Sequence, residues 1–344
     1  MANHASIAGI VLALVGCRAA TSDAQVVAAP RIETRLTYVD DASAPRWRVE
    51  LVGEGLRGTT PPVLELQNRG EWLRIDDYYL RELVAEPPLR RREKRNAFEV
   101  LAPDDWDREL RVRYELPVVD VTANARETFG LLPWRTPTYS FGFAANTLFA
   151  IDTSDEFPTP ERSIEITAPA DWLIASGFAA PALGRLRARV PESFGNTAIA
   201  FGRPLARAAV LAEGVPIRVV QFDGERAIVE PLADFGRRYL EACIRSLGAP
   251  RSPELSLIVT EPGFGGTRTD GVIAIGCPDG FGGAESSGGE ASPWTLHFLA
   301  HELFHDWLGG RLKSTEGEQL AWFWEGFTDY LSLWHLTPLC LYFG

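Results

Sequence analysis

Residues 293–308 read PWTLHFLAHELFHDWL, and the rest of the chain is best interpreted outward from this stretch. On a helix, His301 and His305 lie one turn apart on the same face, so both imidazoles can reach one zinc ion. Glu302 lies beside them and can act as the base on a zinc-activated water. Pro293 suits the first turn of such a helix. Because HExxH also recurs by chance on amphipathic helices, the alternative is that both histidines are ordinary helix residues.

A second segment, QLAWFWEGFTDY at 319–330, weighs against that alternative. It predicts a heavily buried helix that carries Glu325 among aromatic residues. A buried unpaired carboxylate is costly, whereas a carboxylate bound to zinc is compensated. Glu325 is therefore predicted to be the third zinc ligand, with the fourth position left to water. Asp329 follows one turn later and is predicted to accept the outer N–H of a ligand histidine, which fixes the tautomer.

Other residues near these motifs have less specific predictions. His297 precedes His301 by one turn and could compete as a ligand. With Glu325 available, we expect His297 to lie on the helix face or to contact a ligand from outside, and we expect a structural role for His335. We expect the tryptophans of this region to pack in the core rather than against a substrate. They are Trp294, Trp307, Trp322, Trp324 and Trp334.

The composition is that of a globular protein with a sizeable core, because 46% of the 344 residues are hydrophobic and 23% are charged. This length favours two structural units. The formal net charge of -12 argues against nucleic acid and against an anionic membrane surface as partners. Such acidity can favour basic substrates, but more commonly it serves solubility.

The first 17 residues resemble a bacterial lipoprotein signal peptide. The apolar run at 7–15 is too short to span a bilayer, and LVGC at 14–17 is similar to a lipobox. This resemblance implies lipidation of Cys17 and a location in the bacterial cell envelope. The small and polar residues at 18–30 predict a tether. An ordinary secretory signal is the alternative, and both predict export. Export permits a disulfide, but we expect buried free thiols at Cys243, Cys277 and Cys340.

From residue 31 to residue 212, apolar and polar residues alternate with a period of two. Trp47, Val49 and Leu51, for example, are separated by charged residues. Such strands bury one face and expose the other, so 31–212 is predicted to be a β-rich N-terminal domain built as an antiparallel sandwich. The basic run at 90–95 is predicted to be a solvated loop or hairpin edge.

Residues 213–344 read as a second, α/β unit. Apolar runs predict strands at 217–222, 255–259 and 271–275, and an amphipathic pattern predicts a helix from Pro231 to Leu247.

The glycine-rich segments between 263 and 289 lack the Lys-Ser/Thr of a phosphate loop. We interpret them as a rim above a cleft, with a plain surface loop as the alternative.

HELFHDW at 301–307 followed by LAWFWEGFTDYLS at 320–332 resembles the gluzincin zinc peptidases, and most of all the glycyl aminopeptidase family, peptidase family M-sixty-one. Upstream, YSFGF at 139–143 and PADW at 169–172 are similar to that family's N-terminal domain. The 19 residues between the second histidine and the downstream glutamate match the spacing of thermolysin-like enzymes. The resemblance implies an α+β protein, with a β-rich N-terminal sandwich followed by a thermolysin-like α/β zinc-peptidase domain.

The resemblance also implies roles for single residues. His301, His305 and Glu325 would bind zinc, Glu302 would be general base and acid, and Asp329 would orient a ligand from outside. The implied activity is zinc-dependent hydrolysis of peptide substrates, as an aminopeptidase rather than an endopeptidase. We expect a C-terminal helical part that supplies a transition-state donor to lie beyond the given sequence. The alternative is a truncated, catalytically weak module that binds zinc or peptide, and the oligomeric state stays open.

Overall fold

The computed structural model describes residues 29–41, 43–56, 62–66, 80–92, 97–101, 109–120, 133–152, 159–190, 197–224, 226–260, 266–269, 271–276, 293–308 and 321–337. The predicted signal peptide with Cys17, most of the glycine-rich segments, and Cys277 and Cys340 lie outside these residues. In the described part of the chain, no helix combines the length and apolar character that crossing a bilayer requires.

The fold is mixed α+β and rich in strands. The first strands are β1 Arg31–Val39, β2 Arg46–Glu54, β3 Val63–Leu66, β4 Arg81–Glu86, β5 Leu89–Arg91, β6 Ala97–Val100, β7 Leu110–Pro117, β8 Val119–Asp120, β9 Trp134–Arg135, β10 Tyr139–Phe143 and β11 Phe149–Asp152. The later ones are β12 Glu161–Thr167, β13 Leu173–Ser176, β14 Ala182–Leu183, β15 Arg185–Arg189, β16 Ala198–Gly202, β17 Ala206–Ala212, β18 Val215–Gln221, β19 Leu255–Thr260, β20 Gly266–Thr269 and β21 Val272–Gly276. The helices are α1 Ala144–Thr147, α2 Val229–Leu247, α3 Pro293–Phe304 and α4 Ala321–Leu336.

The first sheet has the strand order β15-β12-β1-β2-β7-β4. Its strands alternate as the sequence predicts, so Trp47, Val49 and Leu51 are fully buried between charged neighbours. The purely antiparallel arrangement that we expected is wrong, because β1 pairs with β12 in parallel, as β8 does with β9. A parallel pair needs a long connection, which the residues between β1 and β12 provide.

In the second sheet, β14-β13-β16-β10-β9-β8, the three strands β13, β16 and β10 are buried on both faces. Ile174, Ile199 and Phe201 join the core that the first sheet shares with the four-stranded sheet β11-β3-β6-β5. A buried hydrogen bond of 3.0 Å from the Trp47 indole to the Ser140 hydroxyl also links the first and second sheets. Polar links of this kind help to fix one packing arrangement of two apolar faces.

The outward face of the first sheet carries an arginine–glutamate network. Its carboxylates are Glu33, Glu50, Glu115 and Glu165, and its guanidinium groups are Arg35, Arg46, Arg48, Arg113, Arg185 and Arg187. Glu165 lies 2.7 Å from Arg185 and 3.1 Å from Arg187. These strands therefore present paired charges to solvent on one face and apolar side chains to the core on the other.

The third principal sheet, β17-β18-β19-β21-β20, has three parallel strands in the middle and an antiparallel strand at each edge. The predicted strands and helix of this region are present. The helix α2 begins at Val229 rather than at Pro231. Proline is tolerated in the first turn because its missing N–H has no partner there. Gly248, with φ 86°, ends the helix.

One face of this third sheet packs against α2, α3 and α4, and its other face packs against the second sheet. The second contact includes Val220, Phe222 and Ile258 from one side and Tyr139 and Phe141 from the other. The predicted division between residues 212 and 213 falls in the turn that joins β17 to β18. The division into two domains stays a prediction.

The helix α4 is not the heavily buried helix that its aromatic sequence predicts. Its buried positions are Thr328, Ser332 and Leu336, which share one face. Aromatic side chains on another face are open to water, because Phe327, Tyr330 and Trp334 are 45%, 61% and 64% exposed. The expectation of core packing is therefore wrong for Trp334, whereas Trp307 is buried. The side chains of Trp294, Trp322 and Trp324 lie outside the described part.

Candidate metal centre

The helix α3 carries His297 and His301 on successive turns, and His305 lies in the turn that follows it directly. This turn is anchored to the connection between α2 and β19. The hydroxyl of Ser252 donates to the carboxylate of Asp306 over 2.9 Å, and the indole of Trp307 donates to the carbonyl of Gly248 over 3.0 Å. The backbone that presents His305 is therefore held by contacts from residues about fifty positions earlier.

The helix α4 lies along α3 and brings Glu325 and Asp329 to the histidines. The two helices are antiparallel, because Glu325 contacts His301 and His305 whereas Asp329 contacts His297 and His301. These five residues form the histidine–carboxylate cluster. Its imidazoles are largely buried, with 12–19% of each side chain exposed, whereas its carboxylates are 57–61% exposed.

Three atoms of the cluster converge on one point. The Nε2 atoms of His301 and His305 lie 3.1 Å apart, and Oε2 of Glu325 lies 3.0 Å from the first and 3.6 Å from the second. Ligands of a tetrahedral zinc ion, at about 2.0–2.1 Å from the metal, lie about 3.3–3.4 Å from each other. The three atoms therefore have the separations that one zinc ion requires, and in the described residues they form the only such group of three.

The opposite nitrogens of the two histidines have their own partners. Nδ1 of His301 lies 2.8 Å from Oδ1 of Asp329. Nδ1 of His305 lies 3.4 Å from both the Leu308 carbonyl and the Thr328 hydroxyl. An N–H at Nδ1 leaves the lone pair on Nε2, which is the atom that faces the proposed ion.

Thr328 is a further residue of the site that the sequence did not lead us to expect. Its hydroxyl reaches His305 although the residue is surrounded in sequence by aromatic and acidic neighbours. The available signal was helical spacing, since Glu325, Thr328 and Asp329 share one face of a helix. The same segment thus supplies the proposed carboxylate ligand and a partner for each histidine.

Glu302 follows His301 directly in α3 and is 5% exposed. Its role as general base stays a prediction, as do the ligand roles of His301, His305 and Glu325. Glu325 meets both histidines, but the reason that we gave for choosing it is wrong, because its side chain is mostly exposed rather than buried among aromatics.

His297 lies outside the convergent group of three. Its Nε2 is 3.6 Å from Oδ1 of Asp329, and 16% of its side chain is exposed. Burial lowers the pKa of His297, while the charge of Asp329 acts in the opposite direction. His335 is also partly buried, and burial lowers its pKa. Its ring lies 5.6 Å from that of Phe304.

No protein-family model and no curated protein matches this chain. Among solved structures, the chain is similar to an aminopeptidase N family protein from Idiomarina loihiensis, with a TM-score of 0.68 and 18% sequence identity. The match covers 89% of this chain and 54% of that protein, so the chain spans about half the length of its neighbour. At this identity the likeness shows the fold alone, which this chain shares with the matched half of that neighbour.

Proposed function

We propose that this chain hydrolyses peptide bonds with a zinc ion held by His301, His305 and Glu325. The observation that carries the proposal is the convergence of Nε2, Nε2 and Oε2 at separations of 3.0–3.6 Å. The similarity in fold to an aminopeptidase N family protein supports peptide-bond hydrolysis as the reaction class. The similarity of HELFHDW and LAWFWEGFTDYLS to glycyl aminopeptidases supports a thermolysin-like catalytic domain and an aminopeptidase-like preference.

A bound zinc ion would supply Lewis-acid polarisation of a water and of the substrate carbonyl. Glu302, next to His301 in the helix, would accept a proton from that water and deliver it to the leaving amine. Asp329 would keep the proton of His301 on Nδ1, so that Nε2 remains a ligand. Thr328 and the Leu308 carbonyl would do the same for His305.

The position of β20 supports a peptide as the substrate. In the described part of the third sheet, β20 is the terminal strand, and it lies beside α3. A terminal strand has unpaired backbone groups on its outer side, with which an extended peptide can pair. We also propose that the chain is exported, that Cys17 is lipidated, and that the chain does not bind nucleic acid.

A weak zinc- or peptide-binding module is the second candidate. The exposure of both carboxylates in the cluster favours it, because catalytic stabilisation of charge is strongest where water is excluded. The two candidates share the metal site and differ in turnover.

The test compares wild type, Glu302→Gln and the control Glu230→Gln, which changes an exposed glutamate in the first turn of α2. Each protein is loaded with zinc, and its metal content and hydrolysis of glycyl and alanyl anilides are measured. We expect all three to bind zinc, and only Glu302→Gln to lose hydrolysis, by about 100-fold or more. Equal hydrolysis by Glu302→Gln contradicts the assigned base, and zinc binding without hydrolysis in wild type favours the binding module.

A further inference from the structure

In the histidine–carboxylate cluster, each carboxylate lies between two imidazoles. Oε2 of Glu325 is 3.0 Å from His301 and 3.6 Å from His305, and Oδ1 of Asp329 is 2.8 Å from His301 and 3.6 Å from His297. Asp329 thus has the same relation to its pair of histidines that Glu325 has to its own. The difference is that the atoms around Asp329 do not form a convergent group of three.

Asp329 has a task that depends on its orientation. Its short contact with Nδ1 determines which nitrogen of His301 is left to face a metal ion. Yet its side chain is 57% exposed, and an exposed carboxylate can rotate toward water. His301 alone cannot fix both the position and the rotation of this carboxylate.

His297 supplies a second point of contact. It lies on α3 one turn before His301, and its side chain is only 16% exposed, so its imidazole has little freedom. The separation of 3.6 Å from Nε2 to Oδ1 exceeds a direct hydrogen bond, but a small movement would let an N–H at Nε2 of the neutral imidazole donate to this carboxylate. Such a hydrogen bond would hold the carboxylate against α3, on which His301 also lies.

We propose that His297 is a positioning residue that holds Asp329 against Nδ1 of His301 and thereby strengthens zinc binding without touching the metal. This inference rests on the proposed zinc site and adds a residue to it. It makes His297 the outermost member of a chain of contacts that runs through Asp329 to the proposed zinc ligand His301. Its effect must therefore pass through Asp329.

The experiment measures zinc affinity by competition with a chelator at neutral pH, which needs no catalytic activity. The variants are His297→Leu, His297→Gln, Asp329→Ala and the double variant His297→Leu with Asp329→Ala. Glu325→Ala reports on the zinc site itself. His335→Leu is the matched control, because it removes another partly buried histidine of the same two helices. Thermal unfolding of the metal-free proteins shows that each variant is folded.

We expect Asp329→Ala to weaken zinc binding about 10- to 100-fold, as is usual for partners of ligand histidines. His297→Leu should weaken it about 3- to 10-fold, a typical coupling between neighbouring groups. The amide of His297→Gln can still donate to Asp329 and should recover most of this loss. In the Asp329→Ala background, His297→Leu should have no further effect.

The inference is overturned if His297→Leu binds zinc as wild type does while Asp329→Ala does not. It is also overturned if the loss caused by His297→Leu persists undiminished without Asp329, since His297 would then act on the metal directly. A zinc affinity in Glu325→Ala equal to that of wild type would contradict the zinc site itself, and the inference would fall with it. If Glu325→Ala weakens zinc binding as expected and His297→Leu does not, only the inference about His297 is contradicted, and the zinc site stands.

Discussion

Two regions of this molecule alternate basic side chains with carboxylates across neighbouring elements, but they arrange them in opposite ways. In the arginine–glutamate network on the first sheet, the carboxylates are the covered groups, since Glu115 and Glu165 are 11% and 14% exposed beneath arginines that reach into water. In the histidine–carboxylate cluster the imidazoles are covered, and Glu325 and Asp329 are open.

The comparison teaches what each region can bind. An arginine is permanently charged and has only donors, so in the network it satisfies the carboxylates and leaves no lone pair of its own. A neutral histidine keeps one nitrogen lone pair, and a carboxylate beside it stays available. The network therefore stabilises a sheet surface, whereas the cluster retains the capacity to hold a cation.

The largest expected effect comes from removing one carboxylate from each region in turn. Glu325→Ala should weaken zinc binding by more than the roughly 100-fold that loss of an outer partner causes, because a ligand atom is lost. Glu165→Ala, the control from the network, should bind zinc as wild type does. Isothermal titration with zinc measures both variants, and equal behaviour of the two would remove the distinction.

A second test concerns a carboxylate that is closed to water. Asp306 is fully buried and accepts hydrogen bonds from the Ser252 backbone and hydroxyl at 3.3 and 2.9 Å. Asp306→Ala leaves these donors without their acceptor and should lower the free energy of unfolding by about 1–3 kcal/mol.

Urea unfolding measures this loss. Asp234→Ala, which removes an exposed aspartate that pairs with Arg237, is the control and should cost less than about 1 kcal/mol. If the two variants lose the same stability, the anchoring of the His305 turn by Asp306 is contradicted.

The smallest expected effect comes from pH in the network. A hydrogen bond from Arg185, with further help from the charges of both neighbouring arginines, holds the pKa of Glu165 below its ordinary value of 4.5. Because the folded-state pKa is depressed, the stabilisation is complete above about 4.5 and is lost as the pH falls through the folded value.

Arg185→Gln should therefore be less stable than wild type near neutral pH, by less than about 1 kcal/mol, and the difference should shrink under acid conditions. Urea unfolding of both proteins over a pH series measures it. A difference that is constant across the series contradicts the pairing of Arg185 with Glu165.

Local periodicity predicted much of the fold. Alternation identified the inward residues of β2, and helical spacing placed His301 and His305 on one face. Strand pairing across long separations was not predictable, because nothing in the sequence of β1 specifies a parallel neighbour more than a hundred residues away. Composition was misleading for α4, since its aromatic content predicted burial whereas Phe327, Tyr330 and Trp334 are exposed.

One part of the candidate site was predicted for a sound reason and another for a wrong one. The HExxH motif predicted that His301 and His305 lie together, because residues four apart share one face of a helix. Glu325 was chosen on the expectation of burial, and it meets the histidines although it is exposed. Thr328 was not predicted, because an uncharged side chain gave no signal of a metal site. Its contact with His305 depends on the rotation of α4 about its axis relative to α3, which helical periodicity does not determine.

The core between the second and third sheets has a consequence for cooperativity. The ring of Tyr139 stacks on that of Phe222 at 5.4 Å, and the apolar side chains around them come from both halves of the chain. Neither sheet can separate from the other without exposing this surface to water, which costs free energy in proportion to the apolar area. Local opening of the β-rich half is therefore resisted by the half that carries the candidate metal centre, and the reverse also holds.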